Sequence, residues 1–138
     1  MDKEYDDIIE KLKSDYPIEN QVSFNEFDLY DKLNANALLI VRYSEMLNKE
    51  RSHYEYLIEL KDKLVGELYD HYRFELDKSL QKVEIEKYYL PKDKRVIKMN
   101  KILRSQKARV DFFEICVNGL NKQGWNMKNF SDNMKKGL

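Results

Sequence analysis

Val96, Met99, Leu103, Gln106, Val110, Phe113, Val117 and Leu120 follow one another at alternating spacings of three and four along the chain. That alternation keeps all of them on one side of an α-helix and makes a heptad seam with a single polar member, Gln106. It predicts a helix from about Asp93 to about Lys122, with Gly124 placed to end it. A second single-sided stripe, Leu57, Leu60, Leu64, Leu68 and Tyr72, lies in a stretch from Ser23 to about Phe74 whose one helix breaker is Gly66. Ser23 and Glu26 have capping-box spacing, so this helix is predicted to start there. Its segment ANALLIV, Ala35 to Val41, is apolar nearly all round, which predicts burial on more than one side. About 50 residues at ~1.5 Å each make roughly 75 Å of helix. A small domain does not cover that length by itself, so a partner surface is expected.

The shorter segments complete the architecture. Asp2 to Asp15 is predicted as a helix burying Tyr5, Ile8, Ile9 and Leu12. It stops before Pro17, because the residue ahead of a proline is pushed out of helical geometry, and its acidic first turn suits the helix dipole. In KVEIEKYYL, residues 82–90, Val83, Ile85 and Tyr89 alternate with charged residues, the period of an extended segment. Met127, Phe130 and Met134 recur at helical spacing in a short tail expected to pack back onto the bundle. Four glycines and two prolines in 138 residues leave little punctuation for the turns of a β fold. The expected fold is all-α: a long helical hairpin with short N- and C-terminal helices and an extended connecting segment. It is expected as one domain, with 1–22 an acidic N-terminal helix and linker, 23–122 the hairpin, and 123–138 the C-terminal tail.

Charge changes this picture more than composition does. The formal net charge is zero, but residues 1–31 carry 3 basic and 10 acidic side chains (−7), whereas residues 92–138 carry 12 and 4 (+8). The stretch PKDKRVIKMNKILRSQKAR, residues 91–109, alone holds eight cations and one acid. Within it Lys94, Lys98, Lys101 and Arg104 fall on the side of the helix opposite the seam. A solvated face is the simplest reading of such a stripe. These cations, however, lack the i,i+4 acidic partners that relieve repulsion on a soluble helix, and a phosphate backbone would supply the missing anions. Ten tyrosines and six phenylalanines include several near charges, as in YDHYRF, residues 69–74; aromatic faces stack on unpaired bases, so basic plus aromatic favours single strands over duplex. Core packing accounts for most of these rings equally well. Further along the same helix, Ala108, Phe112, Ile115, Cys116 and Gly119 make the outer side apolar too, which predicts that this part enters an interface between subunits or under the tail.

Several chemistries find no support. No phosphate-binding glycine loop, HExxH, GxSxG or cysteine cluster is present. His53 and His71 lack metal-ligand spacing, and Cys116 reads as a small core residue. No catalytic residue, metal site, cofactor or enzymatic activity is expected. A single cysteine fits a reducing compartment, and the longest apolar run, Ala37 to Val41, is far short of the roughly 20 residues of a membrane span. The expected setting is the cytoplasm, with no membrane partner.

The C-terminal third resembles a known family. Lys107, Val110, Asp111 and Phe112, in KARVDFFE, are similar to the Lys-x-x-Val-Asp-aromatic helix of the UvsY recombination mediators of T-even-like phages. GWNMKN, residues 124–129, resembles that family's Gly-aromatic-x-aliphatic-Lys-Asn turn, and DNMKKG, residues 132–137, its closing stretch. Upstream, YSEMLNK, residues 43–49, and ELYDHY, residues 67–72, resemble its long first hairpin helix. The likeness covers roughly residues 30–138. It implies a non-enzymatic, cofactor-free protein of the host cell cytoplasm that forms a ring-like homo-oligomer of six or seven chains. Such a protein binds single-stranded DNA and loads a RecA-like recombinase onto strands coated with single-strand-binding protein. The sequence departs from the family in two places. Where the family's type member has a Lys-x-Arg pair for DNA, this chain has Tyr69, Asp70 and His71, and the arginine expected before Gly124 is Gln123.

The candidate DNA-binding residues are therefore Lys92, Lys94, Arg95, Lys98, Lys101, Arg104, Lys107 and Arg109, with His71 and Arg73 near the missing pair and Lys61 and Lys63 as neighbours. The candidate oligomer interface is Phe112, Ile115, Cys116, Gly119, Trp125, Met127, Phe130 and Met134. A competing reading is a structural helical adaptor without DNA binding, in which carboxylates of residues 2–31 occupy the basic stripe of the next subunit.

Overall fold

The computed structural model describes residues 3–17, 28–76 and 79–136, and all its regular elements are helical. Helix α1 spans Lys3–Asp15, α2 Leu29–Asp70, α3 Lys82–Glu84 and α4 Lys94–Lys136. π-Helical turns follow α2 at His71–Leu76 and α3 at Ile85–Tyr89, and a 3₁₀ turn at Leu90–Lys92 leads to α4. The class is all-α, as the hydrophobic periodicity predicts. The proposed capping box at Ser23 and Glu26 lies outside the described residues; α2 closes its first turn with the Lys32 N–H on the Asp28 carbonyl at 2.9 Å. The chain falls into two compact units, one of residues 1–51 and 108–138, the other of residues 52–107.

The first unit is organised around aromatic rings. Tyr16, just past the end of α1, meets Phe113 edge-on with ring centroids 5.3 Å apart, and Tyr43 of α2 and Phe112 of α4 at slightly longer range. Edge-to-face contacts of this kind add about 0.5–1.5 kcal/mol per pair beyond the burial itself. Leu12, Leu29, Leu47, Val110, Leu120 and Met127 close the core around them. Two polar contacts set the register: the Tyr5 hydroxyl donates to Asp111 at 2.9 Å, and the buried Asn36 amide donates to the Leu120 carbonyl at 3.1 Å.

This packing changes two expectations. Gly124 does not end a helix; α4 runs through it to Lys136, so the tail is no separate segment folded back. The glycine serves close approach instead, since a Cβ there would lie 2.7 Å from Asn36 Oδ1. The all-round burial expected of Ala35 to Val41 is not found within the chain either: Leu38 is 72% and Val41 58% exposed, and the side chain turned inward is the polar Asn36.

The second unit has a smaller core of Leu68, Leu80, Ile85, Leu90 and Val96, flanked by Leu64, Val65, Tyr69 and Tyr72. Residues 82–90, expected as extended, are helical turns. The period-two pattern is not the pattern of burial, because Val83 and Tyr89 are exposed while Ile85 and Leu90 are buried. Five residues separate the buried pair, the step of a π-turn, and the Leu90 N–H bonds to the Ile85 carbonyl. An extended segment needs a neighbouring strand for its backbone groups, whereas a helical turn satisfies them locally.

Candidate functional site

In the second unit, the face of α4 opposite the seam carries the basic stripe. Val96 and Gln106 are buried and Met99 and Leu103 half-buried, while Lys94, Lys98, Lys101 and Arg104 are all exposed. Among the described residues none of these four cations has a carboxylate partner. The first turn of α4 contains no acid. The stripe is thus a row of solvated, uncompensated charge on a rigid element.

The other candidate cations are engaged within the fold. Arg95 binds Asp93 through Nε at 3.1 Å and Nη2 at 3.0 Å, and its backbone N–H donates to the same carboxylate at 2.8 Å. The Tyr72 hydroxyl donates to Asp93 as well, at 2.6 Å. The Arg95 hydrogen bonds hold the Asp93 carboxyl far below the usual range against the opposing effect of burial, and the bond to Asp93 pushes the Tyr72 phenol up. Asp93 thereby caps α4 and ties it to the π-turn that follows α2. Arg73 donates to the Leu80 carbonyl, and His71 pairs with Glu75 at 2.9 Å. In the first unit Arg109 binds Glu50 at 2.9 and 3.1 Å, which raises the guanidinium pKa. Unlike the four stripe cations, Arg95, Arg109, Arg73 and His71 thus each have a hydrogen-bond partner within the chain. Lys92 and Lys107 are exposed; Lys61 is half-buried and Lys63 exposed.

Two grooves flank the stripe. The larger, about 590 Å³, is lined by Tyr72, Glu84, Tyr88, Tyr89, Lys92 and Asp93. The smaller, about 390 Å³, is lined by Tyr54, Asn100, Leu103, Arg104 and Lys107. Their charges differ. The larger groove has two carboxylates against one lysine, whereas the smaller has two cations and no acid.

The candidate interface residues separate in the same way. Phe112, Cys116 and Met127 are buried in the chain's own first unit, where Tyr16 packs on Phe112 and Phe113. Burial pushes the Cys116 thiol up to about 11, so it is a packed, unreactive group. Ile115, Trp125, Phe130 and Met134 remain at the surface, the first two 66% and 63% exposed, and Gly119 faces open space.

The sequence missed Tyr54, Asn36 and Glu50. Tyr54 and Glu50 fall in a polar stretch with no motif, and Asn36 is hidden in an apolar one. Among the described residues there is no cluster of potential metal ligands and no helix long and apolar enough to cross a membrane.

The crystal structure of the bacteriophage T4 recombination mediator protein UvsY is similar to this chain with a TM-score of 0.76 at 17% identity, covering 94% of this chain and 98% of that one. That likeness shows a shared fold over nearly the whole of both chains. No family model matches the sequence, and no curated protein matches it.

Proposed function

We propose that the chain is a single-stranded DNA-binding recombination mediator that loads a RecA-like recombinase onto strands coated with single-strand-binding protein. The observation that carries this reading is the exposed row Lys94, Lys98, Lys101 and Arg104, without acidic partners among the described residues, on the fold of a recombination mediator. The protein acts without a cofactor or catalytic step, in the cytoplasm of the host cell. It works as a homo-oligomer, a ring of six or seven chains. The exposed Leu38, Val41 and Ile115 in the first unit support assembly, because a monomer leaves these apolar side chains in water.

The test is salt dependence. Four phosphate contacts per engaged subunit give a log K against log salt slope of roughly −3, at about −0.7 per contact with a single strand. Changing Lys98 and Lys101 together to alanine should weaken binding on every sequence alike and reduce that slope by about 1.4 per engaged subunit. Wild-type affinity and slope in this variant would refute the phosphate track and favour the adaptor, in which the stripe pairs subunits. Assembly is tested separately: Ile115→Lys should lower the mass measured by light scattering while leaving the helical circular dichroism unchanged.

A further inference from the structure

The basic stripe does not run straight along α4. Lys98, Lys101, Arg104 and Lys107 follow at successive steps of three residues, and each such step falls about 60° short of a full helical turn. The row therefore winds around the helix, out of the open face and into the smaller groove, where Arg104 and Lys107 are both lining residues. What awaits there is not more charge but a half-buried tyrosine ring, Tyr54, beside the half-buried Asn100 and Leu103.

We infer that this groove is a seat for one unpaired nucleobase, with Tyr54 as its stacking platform. The inference rests on the reading of the stripe as a phosphate track and adds the part of the ligand that the track does not recognise. Each group suits a different part of a nucleotide. The Tyr54 ring offers a π-face, which every base can match. The Asn100 amide carries both donors and an acceptor, so it can meet the edge of any base without selecting one. Leu103 supplies an apolar wall, and Arg104 and Lys107 are placed for the phosphates on either side. At about 390 Å³ the groove falls within the ~300–1,000 Å³ of small-ligand clefts. The larger groove is less suited to this ligand despite its three tyrosines: its one lysine, Lys92, is offset by Glu84, and Asp93 and the Tyr72 hydroxyl are already engaged with each other. A paired base has its edge engaged and its faces covered, so the seat selects single strands over duplex.

Anisotropy titrations with fluorescein-labelled oligo(dT) and an abasic oligonucleotide of the same length separate bases from backbone. Wild type should prefer oligo(dT) by roughly 5- to 150-fold, the worth of one stacked base. Tyr54→Leu should abolish the preference and Tyr54→Phe should keep it, with all three proteins sharing one salt slope on the abasic strand. A wild type with no preference, or a Tyr54→Leu variant that retains it, overturns the nucleobase seat. If instead the abasic strand binds without salt dependence, the phosphate track itself fails. On unmodified protein, irradiating a complex with a 5-bromouracil strand should give an adduct at Tyr54; adducts confined to other residues would overturn the assignment.

Discussion

Helix α4 passes through two different environments. Over residues 94–107 it buries one side and leaves the other charged and solvated. Over residues 108–120 it is buried on more of its circumference, where Tyr16 packs on Phe112 and Phe113 and Ala108, Val110, Cys116 and Leu120 are buried. The same difference governs the cations. Arg109, beside the first unit's core, is held by Glu50, whereas Lys98 and Lys101 have no carboxylate partner among the described residues. A helix can thus be a structural member and a binding face in turn, with the change made by what covers it.

That contrast is open to direct attack. The largest effect is expected in the first unit, where Phe113, 1% exposed, sits in the ring cluster. Phe113→Ala should cost about 3–5 kcal/mol in urea denaturation, while Lys98→Ala with Lys101→Ala should change stability by no more than about 0.5 kcal/mol and alter only binding. Comparable losses from both would mean that the stripe is not a solvated face.

The second unit depends more on one polar knot. Asp93→Ala removes the cap of α4 and should cost about 0.5–2 kcal/mol. Because the folded carboxyl is depressed, its contribution is present above the unfolded pKa of about 3.9 and is lost as pH falls from there towards the folded value. Wild type and variant should therefore differ at neutral pH and converge in strong acid. A stability difference that persists unchanged in acid would show that Asp93 acts by something other than its charge.

The smallest effects concern glycine. Nothing lies within 4 Å of a Cβ added at Gly66, whereas one at Gly124 meets Asn36 Oδ1 at 2.7 Å. Gly66→Ala should stabilise by up to about 1 kcal/mol through helix propensity. Gly124→Ala should lose that gain and more, for a net destabilisation of about 1 kcal/mol, as the buried Asn36 is driven off the Leu120 carbonyl. Thermal melting of both variants gives the two signs. Stabilisation at both positions would mean that the Asn36 contact does not hold the first unit together.

The residues by themselves determined the all-helical class, the seam from Val96 to Leu120 and the side on which Lys94, Lys98, Lys101 and Arg104 lie. These follow from spacing along one chain segment, which the 3.6-residue turn converts directly into a face. Only the tertiary structure decided which faces are covered and which charges are answered. The spacing turns Phe112 and Cys116 away from the seam, yet both are buried, with Tyr16 packed on Phe112. Arg95 and Arg109 stood in the same basic run as Lys98, yet Asp93 and Glu50 take them up. Residues 82–90 alternate like a strand and fold as turns, because no strand is present among the described residues to pair with them. Tyr54 joins Arg104 and Lys107 from a polar stretch that no motif marks. In each case the deciding neighbour comes from a distant segment or another turn of chain, and helical periodicity states where a side chain points but not what will meet it there.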